Sequence, residues 1–276
     1  MTTETATPRD ETVAAATAPA CPAIAPRLWV YTNFDCNLSC TYCVAMSGPR
    51  AERRGLALHA FRRLVDEAAD GGIRELFLTG GEPFLLPDIG ERIRHAAGRL
   101  PTTVLTNAML FQGRRLETLR ALAGLDVRFQ VSLDGADAET HDAYRGAGSW
   151  RKTLDGIATL QSLDMRLVIG STETPVNAAR LDDLRAFVES LGIDPQDHFI
   201  RPLVRRGYSR EGIEVSAEDL EPEVTVSVDG VYWHPLACED DLLVTRRLFP
   251  FADALARVHE LFHAVLSTGA MPQKFR

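Results

Sequence analysis

The stretch Cys36-Asn37-Leu38-Ser39-Cys40-Thr41-Tyr42-Cys43 places three thiols within eight residues, just after the apolar, β-prone run Leu28-Trp29-Val30-Tyr31. Thiolates at such close spacing bind soft metals or iron–sulfur clusters. Three cysteines are one fewer than the four that close an ordinary 4Fe–4S cluster. The sequence therefore predicts a cluster in which one iron keeps a position for a ligand that is not protein, much as a catalytic zinc site keeps one position open.

The spacing C-x3-C-x2-C resembles the signature of the radical S-adenosylmethionine (radical SAM) enzymes. The resemblance implies that Cys36, Cys40 and Cys43 hold a 4Fe–4S cluster whose open iron binds SAM, and that a donor such as flavodoxin or ferredoxin supplies an electron. SAM is then cleaved to a 5′-deoxyadenosyl radical, which takes a hydrogen atom from the substrate. The spelling is most similar to the branch of molybdenum-cofactor cyclases, sulfatase maturases and peptide- or sugar-modifying enzymes. In that branch the aromatic that Tyr42 matches packs near the cluster and the SAM adenine.

Two other interpretations of the cysteines are a structural zinc site and a thioredoxin-like redox pair. Zinc needs a fourth ligand. The nearest cysteine, Cys21, lies in a Pro/Ala-rich stretch, and no histidine lies inside the loop. A redox pair of Cys40 and Cys43 leaves Cys36 unexplained. The cluster accounts for all three thiols and is therefore the preferred interpretation.

The composition is that of an ordinary soluble globular protein, with 276 residues of which 45% are hydrophobic and 25% charged. A net charge of −8 argues against nucleic acid as a partner. No apolar run approaches the roughly 20 residues that span a bilayer, and the N-terminus has no apolar signal-peptide segment. Five cysteines, three of them in one loop, are typical of a reducing cytosol. We therefore expect a cytoplasmic protein without a membrane partner.

Strands alternate with helices along most of the chain, which predicts an α/β fold built from βαβ units around a parallel sheet. Six units resemble the partial (β/α)6 barrel of radical SAM enzymes. We assign residues 1–26 to a disordered tail, 27–212 to the barrel and 213–276 to a small C-terminal lobe. That lobe is predicted to contain a hairpin around Asp229-Gly230 and a helix over residues 249–266. The six strands are predicted at residues 28–32, 75–79, 103–106, 128–133, 167–170 and 199–203.

The remaining motifs fall at the C-terminal ends of predicted strands, where α/β barrels place their chemistry. After the second strand comes Gly80-Gly81-Glu82-Pro83. Taken alone it would be a turn, but it resembles the family's motif that binds the SAM amino group. The third strand ends in Thr106-Asn107, where the family often continues with glycine and this chain has Ala108. Ile169, on the fifth strand, lies where the family places an apolar contact to adenine.

The fourth strand and the helix after it carry Ser132, Asp134 and Arg145. They belong to a run that resembles the Ser-x-Asp-Gly…His-Asp-x-x-Arg…Gly-Ser pattern of sulfatase-maturase-like members. The resemblance implies that Ser132 and Arg145 contact the SAM ribose and carboxylate, and a guanidinium suits a carboxylate. The structural alternative is that Asp134 caps the next segment and Arg145 pairs with a surface acid.

Three further features keep two interpretations each. Arg201, at the end of the sixth strand, is equally suited to a substrate anion and to a salt bridge. Cys238 is alone in the predicted lobe, so a second cluster with a full cysteine set is excluded. It is either a hydrogen-atom donor to a substrate radical, which would make it catalytic, or a small buried residue.

Residues 259–263 read H-E-x-x-H, the zinc-protease motif, but nothing after Leu266 can complete a metal site.

The predicted function is hydrogen-atom abstraction from a small molecule, such as a sugar, nucleoside or amino-acid derivative, in specialised metabolism. The first alternative is an enzyme that epimerises or cross-links a ribosomal peptide. Such enzymes often carry a leader-binding domain, and none is recognised before Leu28. The second alternative is a non-catalytic iron–sulfur regulatory protein, against which the intact motifs at several strand ends argue.

Overall fold

A computed structural model describes residues 24–236 and 239–272. Most of the predicted tail, residues 1–26, therefore lies outside the described residues. Within its last three residues, Ile24 is buried in the core. Within the described residues, no helix combines the length and the apolar character needed to cross a bilayer.

Six parallel strands form the main sheet, in the order in which they occur along the chain. Each inner strand is covered by helices on one face and by the cavity described below on the other. The predicted strands are confirmed with shifts of a few residues at their ends. The strands are β1 (Arg27–Tyr31), β2 (Glu75–Thr79), β3 (Thr102–Thr106), β4 (Val127–Ser132), β5 (Arg166–Glu173) and β6 (His198–Pro202).

Helices connect the parallel strands and cover the outer face of the sheet. The first helix buries Phe61, Leu64, Val65 and Ala68, the face that its apolar spacing predicts. These side chains share one core with Leu28 of β1. The helices are α1 (Leu58–Asp70), α2 (Ile89–Ala97), α3 (Arg114–Arg120), α4 (Ala138–Arg145), α5 (Ser149–Ser162) and α6 (Leu181–Ser190).

The strands run in register, so the loops that follow them meet at one edge of the sheet. Tyr31 of β1 lies beside Thr79 of β2, and Ser132 of β4 lies beside Gly170 of β5. Side chains from all six strands line a common cavity, which means that the sheet curves into part of a barrel. This arrangement confirms the predicted α/β fold and brings the motifs at the strand ends together.

The C-terminal part continues the same sheet. Strand β7 (Thr225–Ser227) pairs in parallel with β1, and β8 (Gly230–Tyr232) and β9 (Leu243–Thr245) follow as antiparallel neighbours. Helix α7 (Phe251–Ser267) packs against β9 and α1. The full strand order is β6-β5-β4-β3-β2-β1-β7-β8-β9.

The predicted hairpin is present, but its turn lies one residue earlier than Asp229-Gly230. Ser227 pairs with Gly230, so the two turn residues are Val228 and Asp229. Gly230 instead opens β8 with a φ of 153°, and a Cβ there would come within 2.5 Å of the carbonyl oxygen of Thr245. The glycine is therefore needed where β9 approaches, not in the turn itself.

Candidate active site

Three thiols meet the cavity in the loop between β1 and α1. Cys36, Cys40 and Cys43 are unpaired, half-buried and part of the cavity lining. The backbone N–H of Leu38 lies 3.4 Å from the Cys36 sulfur, and that of Ser47 lies 3.4 Å from the Cys43 sulfur. N–H donors aimed at sulfur are typical of cysteines that ligate a cluster.

Burial raises the pKa of Cys36 to about 12 and that of Cys40 to about 11. Without a metal these thiols therefore stay protonated, and a bound metal is what would deprotonate them. Within the described residues, no three His, Cys, Asp or Glu side chains converge on one metal ion. Three thiols lining one cavity suit an iron–sulfur cluster, for which cysteine thiolates are the usual ligands.

Gly80 and Gly81 line the cavity beside the cysteine loop, residues 36–43. A Cβ at Gly80 would come within 2.4 Å of the Asn33 carbonyl oxygen, and one at Gly81 within 2.1 Å of the Asp35 carbonyl oxygen. The Gly81 N–H donates to the Asn33 carbonyl at 2.9 Å. Glycine is thus required here because the loop after β2 lies directly against the backbone that leads into Cys36.

The carboxylate of Glu82 lies behind this part of the cavity wall and does not line the cavity. It accepts hydrogen bonds from the Phe84 N–H at 3.0 Å, the Thr106 hydroxyl at 2.8 Å and the Asn107 N–H at 2.9 Å. Burial raises the pKa of Glu82, and these donors act against the rise. Pro83 is buried beside it at the start of a short 3-10 turn. The geometry makes Glu82 a link between the loops after β2 and β3.

Thr106 ends β3 and Asn107 follows it, and both residues line the cavity. The Asn107 side-chain amide donates to Asn37 at 2.8 Å and lies 3.9 Å from the Cys36 sulfur. Ala108 stands at the position where the related motif has glycine, and it adopts a φ of 59°. The left-handed backbone is therefore kept although the side chain is not glycine.

Asp134 and Arg145 are buried beside the cysteine loop and contact Tyr42, a half-buried residue of that loop. Arg145 Nε donates to Asp134 Oδ2 at 2.6 Å, and the Tyr42 hydroxyl donates to the same oxygen. Burial alone would raise the pKa of Asp134, but the Arg145 guanidinium outweighs it and holds that pKa below its usual value. Arg145 thus pairs with a buried acid rather than a surface one. Arg145 and Tyr42 line the cavity, whereas Asp134 lies behind them.

Neighbouring residues of the predicted motifs are divided between the cavity and the core. Ser132 lines the cavity. Ile169 does not: its side chain is fully buried in the core, whereas Val168 and Thr172 of β5 face the cavity. Side chains alternate along a strand, so a one-residue difference in register reverses the face. Asp142 and His141, in the same motif, contact backbone N–H groups and have a structural role.

The cavity has a volume of about 550 Å³ and extends along the inner face of the barrel. Its lining includes Trp29, which stacks on Phe77 at 4.3 Å between ring centroids, and the charged side chains of Arg27 and Glu223. Residues 234–236, after β8, form one of its walls, and the Tyr31 hydroxyl donates to the Pro235 carbonyl at 2.5 Å. The C-terminal part therefore does reach the cavity. Cys238 lies outside the described residues.

The loop after β6, residues 203–213, packs on the cysteine loop, which the sequence motifs did not predict. The Tyr208 N–H donates to the Cys43 carbonyl at 3.1 Å, and the Tyr208 hydroxyl to the Met46 carbonyl at 2.8 Å. Gly207 adopts a φ of 61° at this contact. A glycine directly after Arg205-Arg206 was the available signal, because close backbone approach often requires it.

The H-E-x-x-H sequence lies on α7, where His259 is half-buried and His263 exposed. As stated above, the described residues contain no group of side chains placed to hold a single metal ion.

Comparison with known proteins places these features in a family. The chain is 36% identical to an AdoMet-dependent heme synthase of Methanosarcina barkeri over 201 residues, 71% of this chain and 56% of that protein. It is 33% identical to a PqqA peptide cyclase of Rhodopseudomonas palustris over 164 residues, 58% of this chain and 42% of that protein. The chain thus spans about half the length of these relatives.

Solved structures of Streptococcus suis SuiB share the fold at 17% sequence identity. The one bound to S-adenosylmethionine has a TM-score of 0.57 and the one bound to the precursor peptide SuiA a TM-score of 0.60. Each match covers 91% of this chain and about half of SuiB, 50% and 48% respectively. The family model of the radical SAM superfamily matches residues 30–188. The chain therefore belongs to the radical SAM superfamily, as an enzyme that works with a 4Fe–4S cluster and SAM.

Proposed function

We propose that this radical SAM enzyme modifies a peptide, by abstracting a hydrogen atom from a residue held in the barrel cavity. The observation that carries the proposal is the outer edge of β6. This strand ends the sheet, its five residues are all half-buried, and Phe199 and Arg201 face the cavity. Within the described residues, no backbone hydrogen bond reaches that edge from another segment. An extended peptide can pair with such an edge while one side chain enters the cavity.

The relatives support a peptide better than the small molecule that the sequence favoured. One is named a peptide cyclase, and SuiB is solved with its precursor peptide. The heme synthase relative supports a second candidate, chemistry on an iron tetrapyrrole. The enzyme prediction is confirmed by the family, which leaves the non-catalytic regulatory alternative without support.

The residues proposed to hold the cofactors surround one end of the cavity. Cys36, Cys40 and Cys43 hold the 4Fe–4S cluster, and a cluster with SAM supplies the radical that abstracts hydrogen. The backbone of Gly80 and Gly81 gives SAM a surface without side chains. The polar lining that remains for SAM comes from Ser132, Arg145, Tyr42, Thr106 and Asn107. Glu82, Pro83 and Asp134 fix the positions of these groups from behind.

Arg145 is suited to a carboxylate because part of its guanidinium remains available. Its Nε and one terminal nitrogen face Asp134, at 2.6 Å and 3.5 Å. The other terminal nitrogen donates no hydrogen bond to any of the described residues, and the side chain lines the cavity. The electron donor, a flavodoxin or ferredoxin, stays a prediction.

The test uses the reconstituted enzyme under anaerobic conditions, with dithionite, SAM and a peptide encoded by a short reading frame beside the gene. We expect 5′-deoxyadenosine together with a peptide that has lost hydrogen or, in deuterated water, gained deuterium, both read by mass spectrometry. A variant with Cys36, Cys40 and Cys43 changed to Ala serves as control and should lose its iron and both products. Formation of 5′-deoxyadenosine with the peptide unchanged, and heme formed from a supplied iron tetrapyrrole, would instead establish the second candidate.

A further inference from the structure

Arg201 places a cation in the cavity without an acidic partner. It lies on β6 and lines the cavity, and its recorded contact is with the ring of Phe199, 5.3 Å from the guanidinium carbon. Its backbone pairs with β5, but within residues 24–236 and 239–272 no hydrogen bond or ion pair joins its guanidinium to another side chain or to the backbone. The buried arginines nearby differ in this respect, since Arg145 pairs with Asp134 and Arg206 pairs with Asp241 at 2.7 Å.

The lack of a partner is costly, because a charge removed from water is destabilising unless it is paired. Burial lowers the pKa of Arg201, and the positive charge of Arg145 acts in the same direction. A guanidinium nevertheless remains charged at any physiological pH. Within the part of the chain that the structure describes, no contact compensates the charge of Arg201, which indicates that a bound ligand does so.

The charged groups that act most strongly on Arg201 leave its own charge uncompensated. Asp134 is neutralised by Arg145 at 2.6 Å, and its other oxygen accepts the Thr172 N–H at 2.8 Å. His234, on the opposite wall, is neutral because burial and the charges of Arg206 and Arg201 lower its pKa to about 3. An anion bound at Arg201 would thus meet an uncompensated cation in a site largely shielded from water.

The walls next to Arg201 define what accompanies the anion. Phe199, Leu203 and Leu236 line this part of the cavity and offer apolar surface. A single planar guanidinium matches a carboxylate through two parallel hydrogen bonds, whereas a phosphate would require further donors to balance its charge. The site therefore favours a carboxylate carried on an apolar body.

We propose that Arg201 binds a carboxylate of the substrate, so that the substrate is an acidic molecule positioned by an ion pair in the cavity. The next step rests on the proposed peptide function. For a peptide substrate, the carboxylate is an Asp or Glu side chain or the peptide's C-terminus. Arg201 then sets which residue of the peptide faces SAM.

The first test needs no knowledge of the substrate. Crystals of the enzyme with cluster and SAM are soaked with 4-bromobenzoate or with the neutral 4-bromobenzamide, and bromine is located by anomalous scattering. We expect the benzoate carboxylate on the Arg201 guanidinium and no benzamide there. Calorimetry should give at least tenfold tighter binding of the acid than of the amide, and Arg201→Met should abolish the difference. Arg205→Met is the matched control, since Arg205 is exposed and pairs with Glu214 at 2.5 Å.

Stability separates ligand binding from a structural role. Arg201→Met removes an unpaired, half-buried charge and should leave the melting temperature unchanged or raise it, whereas loss of a structural ion pair would lower it. Benzoate bound at Arg145, equal binding of acid and amide, no binding of either, or weaker SAM binding in Arg201→Met would each overturn the proposal.

The second test distinguishes this proposal from the peptide function. If the peptide is modified, Arg201→Met should raise the KM for the peptide at least tenfold, and Arg201→Lys should restore part of that loss. Replacing the peptide's carboxylate by an amide should raise the KM of the wild type and leave the KM of Arg201→Met unchanged. A modified peptide with no effect of Arg201→Met refutes the proposal alone. Benzoate bound at Arg201 with no peptide modified refutes the peptide function alone.

Discussion

Glu82 illustrates how a residue can belong to a binding motif without touching the ligand cavity. Its neighbours Gly80 and Gly81 line the cavity, and its own carboxylate is enclosed by three donors from two loops. The sequence identified the right segment, because the glycines and proline are distinctive. The direction of the side chain could not be predicted, since it depends on how the loops after β2 and β3 pack together.

Replacing Glu82 by Ala leaves the Phe84 N–H, the Thr106 hydroxyl and the Asn107 N–H without their acceptor. We expect SAM binding to weaken by about 1.5–3 kcal/mol, the range for a lost hydrogen bond to a charged group, through displacement of the cavity wall. The melting temperature should fall in parallel. SAM affinity is measured by calorimetry on the reconstituted enzyme, with Glu117→Ala on the exposed face of α3 as control. An unchanged affinity in Glu82→Ala would show that the wall does not depend on this carboxylate.

The same limit applies to Ile169 and Arg201. The motif placed Ile169 against adenine, but the alternation of β5 turns Val168 to the cavity instead. For Arg201 the sequence left a salt bridge and an anion site equally possible, because the nearest acids are distant in sequence. Only the packed structure shows that Asp134 is already taken by Arg145.

Among the elements, the six parallel strands were predicted well because each is a short apolar run bounded by Gly, Pro or polar residues. Strand β9 was missed, since three residues, Leu243–Thr245, carry too little periodicity to recognise. The loop of residues 203–213 was also missed as part of the site. Its role depends on a contact with Cys43 that lies far away in sequence.

Gly207 connects that loop to the cysteine loop, and a side chain there should disturb the cluster. A Cβ at Gly207 would come within 2.4 Å of the Cys43 carbonyl oxygen and 2.7 Å of Val44 Cα. We expect Gly207→Ala to reduce the iron bound per protein by at least half while far-UV circular dichroism stays near that of the wild type. Gly192→Ala is the matched control: Gly192 also has a positive φ, 79°, but a Cβ there meets nothing within 4 Å. Equal iron content in the two variants would contradict the proposed support.

Asp142 joins α4 to α5 as a cap. Its carboxylate accepts the Gly148 N–H at 2.6 Å, the Ser149 hydroxyl at 2.9 Å and the Trp150 N–H at 2.8 Å. Burial would raise its pKa, but these donors hold it below the usual value. Stabilisation by a carboxylate of lowered pKa is present above the pKa of the unfolded chain, about 4, and is lost as the pH falls through the folded pKa.

Asp142→Ala should therefore lower the free energy of unfolding by about 1–3 kcal/mol at pH 7, the cost of leaving such donors unpaired. The difference from wild type should shrink below pH of about 4. Urea unfolding followed by circular dichroism measures both. Asp155→Ala, on the exposed side of α5, should change stability by less than about 0.5 kcal/mol. If the stability difference between wild type and Asp142→Ala grows as the pH falls, the pKa of Asp142 is raised in the folded protein and not lowered.

At the scale of the whole molecule, the C-terminal residues complete the sheet instead of standing apart from it. The Trp29 N–H of β1 donates to the Val224 carbonyl at 2.9 Å, and its indole N–H donates to Glu223 at 2.6 Å. The hairpin itself was predictable from local turn chemistry. Its attachment to β1 was not, because the pairing joins segments almost two hundred residues apart.

The predicted division at residues 212 and 213 can be tested through Val226, which β7 buries completely beside Val30 of β1. Val226→Ala should lower the free energy of unfolding by about 1–3 kcal/mol, because it opens space in a core shared by both parts. Val228→Ala, in the turn of the same hairpin and 37% exposed, is the control and should have little effect. Unfolding is followed by circular dichroism and by the visible absorbance of the cluster. If the sheet is one cooperative unit, both signals shift together in Val226→Ala, since the cysteine loop directly follows β1. Two transitions, with the cluster signal unchanged, would mean that residues 213–276 unfold as a separate lobe.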